Sequence, residues 1–136
     1  MTKYLGIDYG DRRVGLALAD AEVPIAFPYD TIDREKTDLW HALQEIIDKE
    51  KIKTIILGMP YHPDGRKDGK NLDVEAFAQK LKQKTNLPIY YQDESYSSVS
   101  AKTRTQHLKK RQKRDKGRID RAAATIILQN WLDENL

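Results

Sequence analysis

The sequence predicts an α/β domain built on a mixed five-stranded sheet, with three antiparallel strands followed by αβ units and helices on both faces. Three observations carry this. Two strand-like runs near the N-terminus meet at a glycine, two further compact apolar runs each follow or precede a helical pattern, and the apolar spacing then turns fully helical near residue 120.

Taken in order, residues 3–9 and 13–19 of "YLGIDYGDRRVGLALAD" read as strands, with Gly10 at the turn. In the second, Val14, Leu16 and Leu18 alternate with Gly15, Ala17 and Ala19, so the pair is an antiparallel hairpin with one bulky face and one small face. A third strand is expected over 25–32, weakened by Pro24 and Pro28. Leu39, Leu43, Ile46 and Ile47 predict a helix over 35–50. "KTIILG" (53–58) is a buried strand, and "MPYHPDGRKDGKN" (59–71) a loop rich in turn residues. Val74, Phe77, Ala78 and Leu81 predict a helix over 71–84, and "PIYYQ" (88–92) a strand. A helix over 97–109, a basic loop over 109–118 and a helix over 118–133 complete the reading. No repeat or linker divides the chain, so one domain over 1–136 is expected.

Composition bounds the function. The chain has no cysteine, which removes disulfide frameworks, thiolate nucleophiles and thiolate metal sites. No leader pattern and no apolar run of membrane-spanning length is visible, so the expectation is a cytoplasmic protein without a membrane partner. The net charge of +3 hides an uneven distribution: nine Lys/Arg and one acid lie between Lys102 and Arg118, a block of +8 on a remainder of −5. Such a block points to a polyanionic partner, namely nucleic acid, although a solvated loop is the plainer alternative. Lys109, Lys110, Arg111, Lys113, Arg114, Lys116 and Arg118, with Arg12 and Arg13 in the hairpin turn and Arg121 on the final helix, are the candidate phosphate contacts.

Three carboxylates stand out. Asp8 lies at the end of the first strand, on the face opposite Leu5, Ile7 and Tyr9 and between Gly6 and Gly10. Turn capping is its ordinary explanation. Glu94, with Asp93 as competitor, follows the strand 88–92, where αβ units gather ligands. Asp120 shares a helix face with Ala123, Ala124 and Ile127, which aims a carboxylate toward the core, where a charge needs a partner. Three acids converging above one sheet edge repel one another unless cations neutralise them. An all-oxygen ligand set suits Mg²⁺ or Mn²⁺, and the chemistry of paired ions on such ligands is in-line phosphodiester hydrolysis. His41, His62 and His107 show no arrangement that would make a histidine-based nuclease.

"YLGIDYGDRRVGLALAD", "IILGMPYHPDG", "YYQDESYSS" and "RIDRAAATIILQNWLD" resemble, in order and spacing, the four motif regions of the YqgF family. That family is assigned to pre-16S rRNA nuclease function and is related to Holliday-junction resolvases. The resemblance implies a ribonuclease H-like fold, Mg²⁺ or Mn²⁺ as cofactor, and Asp8, Glu94 and Asp120 as its metal-binding catalytic acids. It also implies precursor rRNA as substrate, trimmed at its 5′ end on the small ribosomal subunit. Gly10, Gly58 and Pro60, with Ser97 and Ser98, would form the site rim. Two positions depart from the pattern: Ser95 stands where many members carry Arg, and Ala123 where resolvases place a further acid or His. The alternatives are a junction-cleaving DNA endonuclease on branched DNA and a non-catalytic nucleic-acid-binding module. A phosphotransfer enzyme of the actin-like class would need two such domains. Monomer and homodimer both remain open.

Overall fold

The computed structural model describes residues 3–94 and 116–136. Five strands, β1 (Lys3–Tyr9), β2 (Arg13–Asp20), β3 (Val23–Asp33), β4 (Ile52–Met59) and β5 (Ile89–Asp93), form one sheet in the order β3-β2-β1-β4-β5. The first three are antiparallel, while β4 and β5 run parallel to β1. Helices α1 (Leu39–Glu50) and α2 (Gly69–Thr85) pack on one face, and α3 (Lys116–Asn135) covers the other. The expected helix at 97–109 lies outside the described residues, as do Ser95, Ser97, Ser98, His107, Lys109, Lys110, Arg111, Lys113 and Arg114.

Alternation along the strands sets the two faces apart. Leu5, Ile7, Val14, Leu16, Ile55 and Leu57 build the core under α1 and α2. The opposite face carries Tyr4, Ala17, Ala19 and Ile56, and α3 seats Ala124, Ile127, Leu128, Trp131 and Leu132 on it. This face is small because α3 lies nearly on the backbone. A Cβ on Gly6 would meet Leu128 Cβ at 2.7 Å, and one on Gly58 would meet Ile127 Cδ1 at 2.6 Å. Bulk on the sheet and bulk on the helix are therefore alternatives at each contact.

That relation makes a coupled prediction. Gly58→Ala and Ile127→Val should each destabilise by about 1 kcal/mol, the first by crowding and the second by lost packing. The double variant, whose valine lacks the atom that the new methyl would strike, should lose less than the sum. Urea denaturation of the three proteins checks it, and additive losses would refute the contact.

Helices α2 and α3 each start two residues earlier than expected, at Gly69 and Lys116, so the end of the expected basic loop, 116–118, is helical; two further differences have clear reasons. Helix α1 starts at Leu39, because a turn forms first, with the Lys36 and Thr37 N–H groups donating to Asp33 C=O at 3.0 and 2.9 Å. Asp38 then caps the helix by accepting from the His41 N–H at 2.9 Å. Strand β3 extends over Val23–Asp33 despite its prolines, because it is an edge strand and one side of it needs no ladder. Its outer side is blunted further: Gln129 of α3 accepts from the Ala26 N–H at 2.9 Å and donates to Pro24 C=O at 3.2 Å. No helix among the described residues is long and apolar enough to cross a membrane.

Candidate active site

The parallel strands β1, β4 and β5 end together, and the predicted carboxylates meet there. Asp8 is the last residue of β1 to face α3, paired across the hairpin with Gly15. The missing side chain at Gly15 is filled by α3 itself, since a Cβ there would lie 2.1 Å from the Asp120 carbonyl oxygen. Asp120 is thereby seated directly beside Asp8. On the other flank the Glu94 N–H donates to Met59 C=O at 2.9 Å, extending the β4–β5 pairing one residue past the strand. Its carboxyl carbon lies 3.5 Å from where a Gly58 Cβ would be. Glycine at 58 thus makes room for Ile127 and for Glu94. Asp93, the competitor in the sequence, is exposed, whereas Glu94 is half-buried and turned to Asp8.

The electrostatics follow from that crowding. Burial pushes the Asp8 carboxyl well above the usual aspartate range; a hydrogen bond and charge repulsion from Glu94 add to the rise, and Lys70 opposes it. Burial also raises Asp120; the Arg13 guanidinium pulls it back, and the charge of Asp8 raises it again. Arg13 Nε donates to Asp120 Oδ2 at 2.8 Å, with both side chains largely covered.

The cations predicted to contact phosphate fall into distinct places. Arg12 is the most exposed of those in the hairpin and pairs with Asp33 and Glu35 at 3.8 and 3.4 Å. Arg13 faces Asp120. Arg121 donates to Thr31 Oγ1 at 3.2 Å, and that hydroxyl donates to Gly117 C=O at 2.6 Å, so the first turn of α3 is stitched to β3. Arg118 is exposed on the same turn, and Lys116 opens the helix. Of the rim residues, Gly10 is required by space, since a Cβ would meet Arg13 C=O at 2.4 Å. Pro60 C=O accepts from Asn71 Nδ2 at 2.8 Å, which ties the loop after β4 to the start of α2. His62 pairs with Asp68, the N-cap of α2, and His41 with Glu45.

Sequence reading missed Lys70. It leaves the first turn of α2 and donates to Tyr9 C=O, one residue beyond Asp8, with its ammonium 5.2 Å from the Tyr9 ring centre. The signal available was its place: a helix that follows a parallel strand starts near the strand ends where ligands gather.

Oxygen ligands packed this closely are the donor set of a hard divalent cation. Asp8 and Glu94 already adjoin. As the side chains stand, no three His, Cys, Asp or Glu among the described residues are grouped to hold one ion, and Asp120 is engaged by Arg13.

A five-stranded mixed sheet flanked by helices, with acids collected at the ends of its parallel strands, defines a resolvase-type α/β fold of the ribonuclease H-like class. Solved structures agree on the fold. "T. thermophilus RuvC in complex with Holliday junction substrate" matches with a TM-score of 0.59 at 14% identity, covering 97% of this chain and 94% of that one. The fowlpox virus Holliday junction resolvase matches at 0.58 and 10%, covering 98% and 99%. Residues 2–134 match the RuvX family, described as Holliday junction resolvase, and the chain belongs to that family. Relatives named "Putative pre-16S rRNA nuclease" are 37% identical in Maridesulfovibrio salexigens, over 96% of this chain and 97% of the relative, and 38% identical in Crocosphaera subtropica, over 96% and 92%.

Proposed function

We propose that this chain is a nuclease dependent on a divalent cation, hydrolysing phosphodiester bonds in precursor 16S rRNA. The observation that carries the reading is the half-buried carboxyl groups of Asp8 and Glu94, set against each other beside Asp120 where three parallel strands end. A fold has no stability reason to bring two carboxyl groups together in a covered place; the arrangement makes sense for a site that binds positive charge. Asp8, Glu94 and Asp120 would hold Mg²⁺ or Mn²⁺. Such an ion lowers the pKa of coordinated water and neutralises phosphate charge.

The chain's own residues do the rest. Closure of α3 on Gly6, Gly15 and Gly58 fixes the carboxylates to rigid elements and keeps water from their backs. Lys70 and Arg13 flank the acids from opposite sides, so a phosphate approaching from the strand ends meets positive charge on either hand. Arg118 and Arg121 extend that charge along the start of α3 for the nucleic-acid backbone, and the sequence that precedes the helix is basic as well. The rRNA substrate is supported by the names of the relatives, and the small ribosomal subunit is the partner that substrate implies. A cytoplasmic location and a single domain over 1–136 belong to the same reading.

Junction resolution is the second reading, supported by the family description and the resolvase fold. Labelled precursor 16S rRNA leader and a four-way DNA junction, incubated separately with the protein and Mn²⁺, distinguish the two. RNA cleavage that chelator abolishes is the expected result. Symmetric junction cuts without RNA cleavage would establish resolution instead. Binding of either nucleic acid without cleavage, and equally with or without Mn²⁺, would leave a binding module.

A further inference from the structure

Arg13 is placed for a role beyond phosphate contact. Its Nε donates to Asp120 Oδ2 at 2.8 Å, so it occupies the one predicted ligand that does not join the Asp8–Glu94 pair. We propose that Arg13 and the divalent cation compete for the Asp120 carboxylate, so that Arg13 is a positioning residue exchanged for the cation as the site loads. This rests on the reading of the site as a metal-dependent nuclease.

Three features support exchange rather than a fixed structural bridge. First, the anchoring of α3 does not depend on the ion pair. Thr31 Oγ1 donates to Gly117 C=O at 2.6 Å and accepts from Arg121 at 3.2 Å, and Gly15 seats the Asp120 backbone by close contact. The carboxylate can change partner while the helix stays docked. Second, among the described residues Asp120 is flanked by groups of opposite sign, Asp8 on β1 and Arg13 on β2, and Arg121 adds positive charge from its own helix. A cation placed between Asp8 and Asp120 gains two carboxylates at once and meets repulsion from Arg13, so the guanidinium and the cation exclude each other. Third, Arg13 opens β2 beside the Gly10 turn and keeps part of its side chain at the surface, with relative exposure of 29%. Displaced from Asp120, its fork stands at the site rim with free donors for a phosphate oxygen. Loading the site would then create a phosphate contact in the same step.

The test is Mn²⁺ binding to the full chain by isothermal titration calorimetry, which requires no turnover. Arg13→Gln removes the competitor, and its Mn²⁺ affinity should rise about three- to fivefold, the upper part of the range for a partly exposed Arg–carboxylate pair. Arg13→Lys keeps the charge and a donor and should stay within about twofold of the parent. Arg12→Gln removes the same charge one residue away, from a side chain paired with Asp33 and Glu35, and should change nothing. A melting curve accompanies each variant, and Arg13→Lys keeps the comparison open if the glutamine variant fails to fold: an Arg13→Lys protein that binds Mn²⁺ more than about tenfold more weakly than the parent would overturn competition. Unchanged or weakened binding in Arg13→Gln would also overturn it, because Arg13 would then organise Asp120 for the ion or merely brace the fold. Equal gains from Arg12→Gln would reduce the effect to general charge and likewise overturn it. If the parent protein binds no Mn²⁺, the metal reading itself falls and takes the exchange with it; if the parent binds and Arg13→Gln does not differ, only the exchange falls.

Discussion

Asp8→Asn is expected to raise the melting temperature of the metal-free protein while reducing Mn²⁺-dependent cleavage by more than about 100-fold. The two effects share a cause. Asp8 is covered by α3 and set against Glu94, so its charged form pays for desolvation and for repulsion. Its folded-state pKa lies above the unfolded value. The stability it contributes is therefore fully present only below about pH 4, the unfolded aspartate range, and is lost as pH rises through the folded value. Asparagine has the same shape, carries no charge and can donate to Glu94. Each pKa unit of elevation is worth about 1.4 kcal/mol at pH above both values. For a chain of this size that is a rise of roughly 3–5 °C per kcal/mol. Thermal melts in EDTA at pH 4 and pH 8 should show the two proteins converging at the acid end and separating at the alkaline end. Cleavage should fall steeply, because disturbing even the groups that support a metal ligand costs about 10–100-fold, and here the proposed ligand itself loses its charge. A variant that melts below the parent at pH 8 would show that the Asp8 charge stabilises the fold, and the cost assigned to its burial beside Glu94 would be wrong.

Gly15→Ala is expected to cost about 3 kcal/mol and to inactivate the protein. Its methyl would stand 2.1 Å from the Asp120 carbonyl oxygen and 2.4 Å from the carbonyl carbon. These are backbone atoms of a helix, so no side-chain rotation relieves the clash; α3 must lift from β2. The lift occurs at the residue whose carboxylate belongs to the site, and a displacement of about 1 Å is enough to cost roughly 100-fold in rate. Gly69→Ala is the comparison. Gly69 opens α2 with nothing within 4 Å of its would-be Cβ, and the substitution should be neutral or stabilising by up to about 1 kcal/mol. Chemical denaturation and the cleavage assay on both variants decide the matter; a Gly15→Ala protein within about 0.5 kcal/mol of the parent would mean that α3 does not pack as closely as described.

Much of this architecture was legible in the sequence, for identifiable reasons. Alternation placed Asp8, Gly15 and Ala17 on the face opposite Leu5, Ile7, Val14 and Leu16, because strand periodicity admits only two faces. The helical spacing of Asp120, Ala124 and Ile127 placed an acid on the buried side of α3 in the same way. What periodicity cannot supply is contact between distant segments. Arg13 and Asp120 lie 107 residues apart, so their ion pair had no local signature. Arg13 read instead as one more turn cation. Lys70 was missed because its composition is that of the loop before it, and only the capped start of α2 aims it at Tyr9. The start of α1 shifted from 35 to Leu39 because Asp33 and Asp38 were competing turn and cap residues, and a charge-rich stretch without apolar spacing does not rank them.

The docking of α3 also orders events in time. Asp8 precedes Asp120 in the chain, and among the described residues the sheet face they share is covered by the helix that carries Asp120. During synthesis, β1, β2 and β3 can pair while the helix is still to come, leaving Asp8 without its third acid and with the Gly6–Gly15 surface bare. Until the segment around residue 120 has been made and has folded back, the acid that would complete the proposed site is missing from it. The three acids would come together in one step, with the packing of α3 on the sheet.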